Sequence, residues 1–227
     1  MECRASRWRL SIGDAQQALT QLCETYWRPL YVYVRRRVEC VHEAQDLTQA
    51  FFCHLLEKDS IAKARPDLGR FRAFLLAALK NFLVNEWDKA RAEKRGGGRV
   101  KLSLDFGSAE SLIQIEPCHE LTPEKLFERR WVLTLVNEVL DRLRTEFAQA
   151  GKQHHFEQLK GALTGELTAE EYARAGEALG ITPAAAKQAA YRIRKRYRTI
   201  FRQEVARTTA GEEDVDDEMR RLLDNLA

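Results

Sequence analysis

The run Leu179-Gly180-Ile181-Thr182-Pro183 constrains this chain more than any other stretch. Glycine takes the left-handed turn at least cost, and Thr-Pro is an N-cap followed by an N1 proline, so one helix ends and another begins within a few residues. Upstream, Thr168 stands as an N-cap with Glu171 at the capping-box position. Downstream, Ala186, Ala190, Ile193, Tyr197 and Ile200 recur at helical spacing and predict the buried stripe of a long helix. Two helices joined by a Gly-containing turn are a helix-turn-helix, whose second helix enters the DNA major groove. Lys187, Gln188, Tyr191, Arg192, Arg194, Lys195, Arg196 and Arg198 take the remaining faces. Such side chains hydrogen-bond base edges or neutralise phosphates. Charge alone would fit a solvated basic helix equally well; the glycine turn and the second cap favour DNA.

The rest of the chain is helical in pattern, and no segment alternates as a strand does, so the fold class is all-α. Ala15, Ala18, Leu19, Leu22, Tyr26, Leu30 and Val34 mark a first amphipathic helix, with a kink expected at Pro29. Ala44, Leu47, Phe51 and Leu55 mark a second, from about Glu43 to Glu57, closed off by a break at Pro66 to Gly69. A third starts near Gly69 or Arg70, carries Phe71, Phe74, Leu75, Ala78, Leu79, Phe82 and Leu83 inward, and turns basic before Gly96-Gly97-Gly98. Thr122-Pro123-Glu124 opens another helix running to about Phe147, with Leu126, Trp131 or Val132, Leu135, Val139 and Leu143 as its stripe. Phe156, Leu159 and Leu163 suggest a short helix after it. The boundaries expected are a first domain over 1–95, a flexible linker over 96–123, a helix-turn-helix domain over 124–207 and an acidic amphipathic C-terminal extension over 208–227. In that extension Val215, Met219, Leu222 and Leu226 form an apolar stripe behind Glu212, Glu213, Asp214, Asp216, Asp217 and Glu218. It is expected either to restrain a basic DNA-binding face or to complete a core.

The net charge of +3 over 227 residues hides a segregation of sign. Basic residues crowd Lys89 to Lys101 and Lys187 to Arg202, whereas Glu110 to Glu120 and Glu212 to Glu218 hold acids and no Lys or Arg. Cys3, Cys23, Cys40, Cys53 and Cys118 are widely spaced without a CxxC pair, and the adjacent His154 and His155 would point about 100° apart on a helix, so no metal site is expected. With no phosphate-binding glycine loop or His-centred constellation either, the chain is read as a non-enzyme without cofactors. Arg4, Arg7 and Arg9 stand where a signal peptide needs its apolar stretch, and no long apolar run occurs; a cytoplasmic protein without membrane insertion is expected.

Three segments, in order and at the right separation, resemble a known family. Glu43-Ala44-Gln45-Asp46-Leu47-Thr48-Gln49-Ala50-Phe51-Phe52 resembles the region 2.2 helix of sigma factors. Phe71-Arg72-Ala73-Phe74-Leu75-Leu76-Ala77-Ala78-Leu79-Lys80-Asn81, followed by Asn85 and a basic run, resembles regions 2.3 and 2.4. Ala178-Leu179-Gly180-Ile181-Thr182 through Lys187, Arg192 and Arg194 resembles region 4.2. The chain as a whole resembles the extracytoplasmic-function (group IV) sigma factors of RNA polymerase.

The resemblance implies that Glu43, Asp46 and Gln49 contact core RNA polymerase, although Gln45 and Ala50 stand where the family often has acids. Thr48 lies on that helix and is read first as an unmodified helix residue; the alternative is a phosphate there, which would add about −1.5 to −2 charges and restore the missing negative charge. It further implies that Lys80, Asn81, Asn85, Lys89, Arg91, Lys94 and Arg95 handle the minus-ten element as single-stranded DNA, Asn81 as the base-reading residue. Lys187, Gln188, Tyr191, Arg192 and Lys195 would read the minus-thirty-five element as duplex. Phe74 and Phe82 are expected in the core, Trp87 is open to either role, and Ala175 replaces a bulkier aliphatic residue common in the family. Promoter DNA and core polymerase are thus the expected partners, with an anti-sigma factor or a Ser/Thr kinase as further ones. The competing reading is a helix-turn-helix regulator that works without polymerase.

Overall fold

The structure, a computed structural model, describes residues 26–57, 71–92, 106–107, 121–209, 211 and 214–224. Every regular element among them is helical: α1 (residues 26–35), α2 (Val41–Glu57), α3 (Phe71–Ala92), α4 (Pro123–Gln149), α5 (Gln153–Leu159) with a 3-10 turn over Lys160–Leu163, α6 (Ala169–Leu179), α7 (Pro183–Thr208) and α8 (Val215–Asp224). The part of the first expected helix before residue 26, the break at Pro66 to Gly69, Gly96-Gly97-Gly98 and Leu226 lie outside the described residues. α1 runs through Pro29 without a break in the helix.

The apolar stripes face inward as their spacing requires. Ala44, Leu47, Phe51 and Leu55 of α2 are buried, as are Leu75, Leu79, Phe82 and Leu83 of α3. In α4 both Trp131 and Val132 are buried beside Leu126, Leu135, Val139 and Leu143, because each flanks the centre of one wide stripe. Thr122 caps this helix by accepting from the Lys125 backbone N–H at 3.3 Å. α7 packs along both α4 and α6, and α8 returns across α7 and α4.

The buried side chains of α1–α3 and of α4–α8 form one continuous cluster. Tyr26 of α1 stacks on Trp131 of α4 with ring centroids 4.1 Å apart and planes within 7°. Phe106, an isolated apolar residue in the expected linker, is also buried, its ring 5.3 Å from that of Trp27 and 5.0 Å from that of Tyr31. A lone aromatic in a polar tether thus finds the apolar face of α1, and the tether is anchored at that point.

Candidate nucleic-acid interface

The α6–α7 unit is set by its caps. The Thr168 hydroxyl accepts from the Glu171 N–H at 3.2 Å, while the Glu171 carboxylate accepts from the Thr168 N–H at 2.7 Å, a closed capping box. That backbone hydrogen bond is the main reason the Glu171 carboxyl is held below its ordinary range. Gly180 follows in the left-handed conformation, φ 65°, and the Ile181 N–H returns to the Gly176 carbonyl at 2.9 Å. Thr182 then caps α7, accepting from the Ala185 N–H at 3.2 Å. Gly176 is required for a different reason: a Cβ there would stand 2.8 Å from the Ile181 carbonyl oxygen and 3.3 Å from the Pro183 nitrogen. Ala175 is buried next to it, and α7 buries Ala186, Ala189 and Ala190. With small residues on both helices, the short side chain at 175 suits a close approach of α6 and α7.

On α7, Lys187, Gln188, Tyr191, Arg192 and Lys195 form the candidate reading face, with Tyr191 exposed at 63%. Their spacing, i, i+1, i+4, i+5 and i+8, places them on one face near the start of the helix. Arg194 and Arg196 leave the set of DNA-facing residues that their charge suggested. Arg194 donates to the Tyr172 hydroxyl on α6 at 3.4 Å. Arg196 grips Glu146 of α4 through Nε and Nη2, both at 2.7 Å, a bidentate pair joining α7 to α4. The Glu146 carboxyl is lowered chiefly by that hydrogen bonding, with the charges of Arg196 and Arg142 adding to it. Nothing in the sequence separates Arg196 from Arg192 except its position one turn on, next to the buried stripe.

A second set of candidates lies on α2 and α3. Glu43 and Asp46 are exposed and Gln49 is half-buried, and the three lie on adjoining turns of α2. On α3, Asn81, Asn85 and Lys89 are exposed at i, i+4 and i+8, a single face, with Lys89 paired to Glu86 at 2.9 Å. The side chain of Arg91, and all of Lys94 and Arg95, lie outside the described residues. Phe82 is buried, and Phe74 and Trp87 are partly buried against the core. At Thr48, where an unmodified helix residue is the favoured expectation, the side chain is fully buried and its hydroxyl donates to the Ala44 carbonyl at 2.7 Å. A phosphate on that oxygen would need the packed face of α2 to open, so this arrangement does not offer Thr48 to a kinase.

Lys80 is engaged rather than open. Its ammonium pairs at 2.9 Å with Glu124, the second residue of α4, which also takes Arg37 at 3.1 Å and the Tyr33 hydroxyl at 3.3 Å. The hydrogen bond from Lys80, then that from its own backbone N–H, then the charges of Lys80 and Arg37 lower the Glu124 carboxyl to about 2. Burial, with Glu124 beside it, pushes the Tyr33 phenol up to about 12. Sequence reasoning assigned Glu124 only to the favourable first turn of its helix; its partners lie 87 and 91 positions away at Arg37 and Tyr33, which no local pattern reveals. The same holds for Arg72, buried at the start of α3 and paired with both Glu128 and Glu218. Among the described residues no cluster of His, Cys, Asp or Glu could hold a metal ion, and no helix is long and apolar enough to cross a membrane. Cys40 is a free, exposed thiol.

Residues 22–93 match the sequence model of the family described as Sigma-70 region 2. The match contains α1, α2 and α3 with Glu43, Asp46, Gln49, Lys80, Asn81, Asn85, Lys89 and Arg91. No curated protein and no solved structure matches the chain.

Proposed function

We propose that the chain, whose residues 22–93 match the Sigma-70 region 2 family, is a sigma factor of the sigma-70 family, a non-enzymatic subunit for promoter recognition by RNA polymerase, and a small one of the extracytoplasmic-function type. In this reading residues 1–95 form the region 2 domain and 124–207 a region 4 domain, joined by the linker over 96–123. Glu43, Asp46 and Gln49 dock on core polymerase. Lys80, Asn81, Asn85, Lys89, Arg91, Lys94 and Arg95 hold the melted minus-ten strand, Asn81 reading a base and the cations following phosphates. Lys187, Gln188, Tyr191, Arg192 and Lys195 read the minus-thirty-five element in the major groove. The factor works where RNA polymerase is, in the cytoplasm.

The observation that carries this reading is the exposed polar and basic face at the start of α7, on the second helix of a helix-turn-helix that follows a sigma-70 region 2 domain. Transcription by purified core polymerase tests it. The chain should direct core to specific start sites, and Arg192→Ala should weaken promoters that possess a minus-thirty-five element by about 1 to 3 kcal/mol. Promoters lacking the element should lose little. Equal loss on both kinds would remove Arg192 from the reading face. A sequence-specific footprint on free duplex DNA, without transcription by core, would instead favour a polymerase-independent regulator.

A further inference from the structure

The cations of α7 are not equally available. Lys187, Arg192, Lys195 and Arg198 are exposed and make no ion pair among the described residues. Arg196 and Arg202, interspersed with them and beyond them, are each taken by a carboxylate of another helix. Arg196 gives Nε and Nη2 to the two carboxylate oxygens of Glu146 on α4, both at 2.7 Å, and Arg202 pairs with Asp216. Arg142 of α4 runs along the same seam, reaching Glu146 at 3.6 Å and Glu204 of α7 at 2.7 Å. Pairing does not hide Arg196, whose side chain is still 42% exposed. It stands four residues after Arg192, about 40° round the helix and about 6 Å along it, at the margin of the candidate reading face.

What Glu146 withholds is a phosphate contact. A lone guanidinium at that margin would follow the DNA backbone, which offers the same charge at every sequence, so it would bind without reading. Joined to Glu146 in a fork, it carries no net charge outward, and the donors turned to the carboxylate are not offered to a phosphate. Arg142 cannot release Arg196 by taking Glu146 over, since it is already engaged with Glu204 at the shorter distance. A freed Arg196 would not help all complexes alike. Base contacts fix the register of a specific complex, so Arg196 gains there only where a phosphate falls within its reach, whereas a non-specific complex slides until one does.

We propose that Glu146 is a positioning residue for promoter specificity: by holding and neutralising Arg196 it keeps a sequence-blind cation away from the DNA backbone and leaves recognition to the side chains at the start of α7. This role rests on the helix-turn-helix function given to α7 above. Glu146 itself lies on α4 and acts only through Arg196, so the two residues form a unit whose removal as a pair leaves the charge facing DNA unchanged. That property separates discrimination from mere support of the fold. Loss of support grows when a second member of the pair is removed, whereas a freed charge disappears with it.

The test assembles the full-length chain with purified core polymerase and titrates promoter duplexes whose minus-thirty-five element is intact or scrambled, at salt concentrations from about 50 to 200 mM. Glu146→Gln keeps the side-chain shape and frees one positive charge. On the scrambled duplex it should steepen the fall of log affinity with log salt by about 0.9, a gain over the parent that shrinks by about threefold across that salt range. The preference for the intact element should drop by about twofold or more at the low-salt end. Adding Arg196→Gln to Glu146→Gln should restore the parent's slope and preference. A folded Glu146→Gln with the parent's slope overturns the role of Glu146, as does an equal gain on both duplexes. Should Glu146→Gln fail to fold, the paired replacement still decides: a slope shallower than the parent's by about 0.9 would mean that Arg196 already contacts a phosphate, which overturns the role, and an unchanged slope supports it. A parent that forms no complex with core, or shows no preference for the intact element, sinks the sigma reading and the role of Glu146 with it. A parent that prefers the element while Glu146→Gln behaves identically sinks the role of Glu146 alone.

Discussion

Arg192 and Arg196 lie one turn apart on α7, yet Arg192 is exposed whereas Arg196 is held by Glu146 through two hydrogen bonds of 2.7 Å. A guanidinium committed to a carboxylate in this fork geometry has little left for a phosphate, so its role is to tie the helix to its support. The pH response follows from the partner. Glu146 has its carboxyl lowered in the fold, first by the hydrogen bond from Arg196, so its contribution is present above the ordinary carboxylate range and is lost as the pH falls through the lowered value. The groups facing it are Arg196 from α7 and Arg142 from its own helix, and Arg142 is shared with Glu204 of α7. Glu146→Gln should therefore lower the melting temperature at neutral pH, and the gap to the parent should close below about pH 4. A gap that stays constant in melts down that range would show that the charge of Glu146 does not act through this pair.

At the scale of elements, the helix-turn-helix depends on two glycines for two different reasons. Gly180 has a φ of 65°, and a Cβ added there would meet nothing within 4 Å, so only its backbone conformation demands glycine. Gly176 has an ordinary helical conformation but would drive a Cβ to 2.8 Å from the Ile181 carbonyl oxygen, a backbone atom that cannot swing aside. Gly180→Ala should cost about 1 to 2 kcal/mol through left-handed strain, whereas Gly176→Ala should cost about 1 to 3 kcal/mol through overpacking and also shift the start of α7. Urea unfolding gives the stabilities, and binding of a minus-thirty-five duplex separates the two. Gly176→Ala should lose affinity beyond what its unfolded fraction explains, and Gly180→Ala should not.

For the molecule as a whole, α8 is both packing and connection. Val215 and Leu222 are buried along with Glu218, so a chain truncated after Thr209 loses apolar burial worth about 1.5 to 3 kcal/mol for each such side chain and leaves Arg72 with Glu128 as its remaining carboxylate of the pair. Truncation should lower the melting temperature clearly, as followed by circular dichroism. A chain melting at the full-length temperature would mean that the burial of α8 adds nothing. The exposed acids Asp216 and Asp217 belong to the run expected from its charge to oppose a DNA-binding face, yet Asp216 reaches Arg202 rather than the Lys187 to Lys195 face.

Helices, caps and inward stripes were legible in the sequence because each depends on residues within a turn or two. Thr122, Thr168 and Thr182 cap as their spacing requires, Gly180 turns left-handed, and the apolar periods of α2, α4 and α7 all face the core. The exposed polar and basic face of α7 was legible in the same way, as the complement of its buried stripe. Tertiary structure alone decided which charges are spent inside the molecule. Arg194 and Arg196 turn to Tyr172 and Glu146, Lys80 to Glu124, Arg72 to Glu128 and Glu218, and Thr48 disappears into the core. The physical reason is range. Helical periodicity is written every three or four residues along the chain, whereas an ion pair between distant helices is fixed by where their packed faces meet, and a charge looks the same in sequence whether its partner is a neighbouring helix, a phosphate or water.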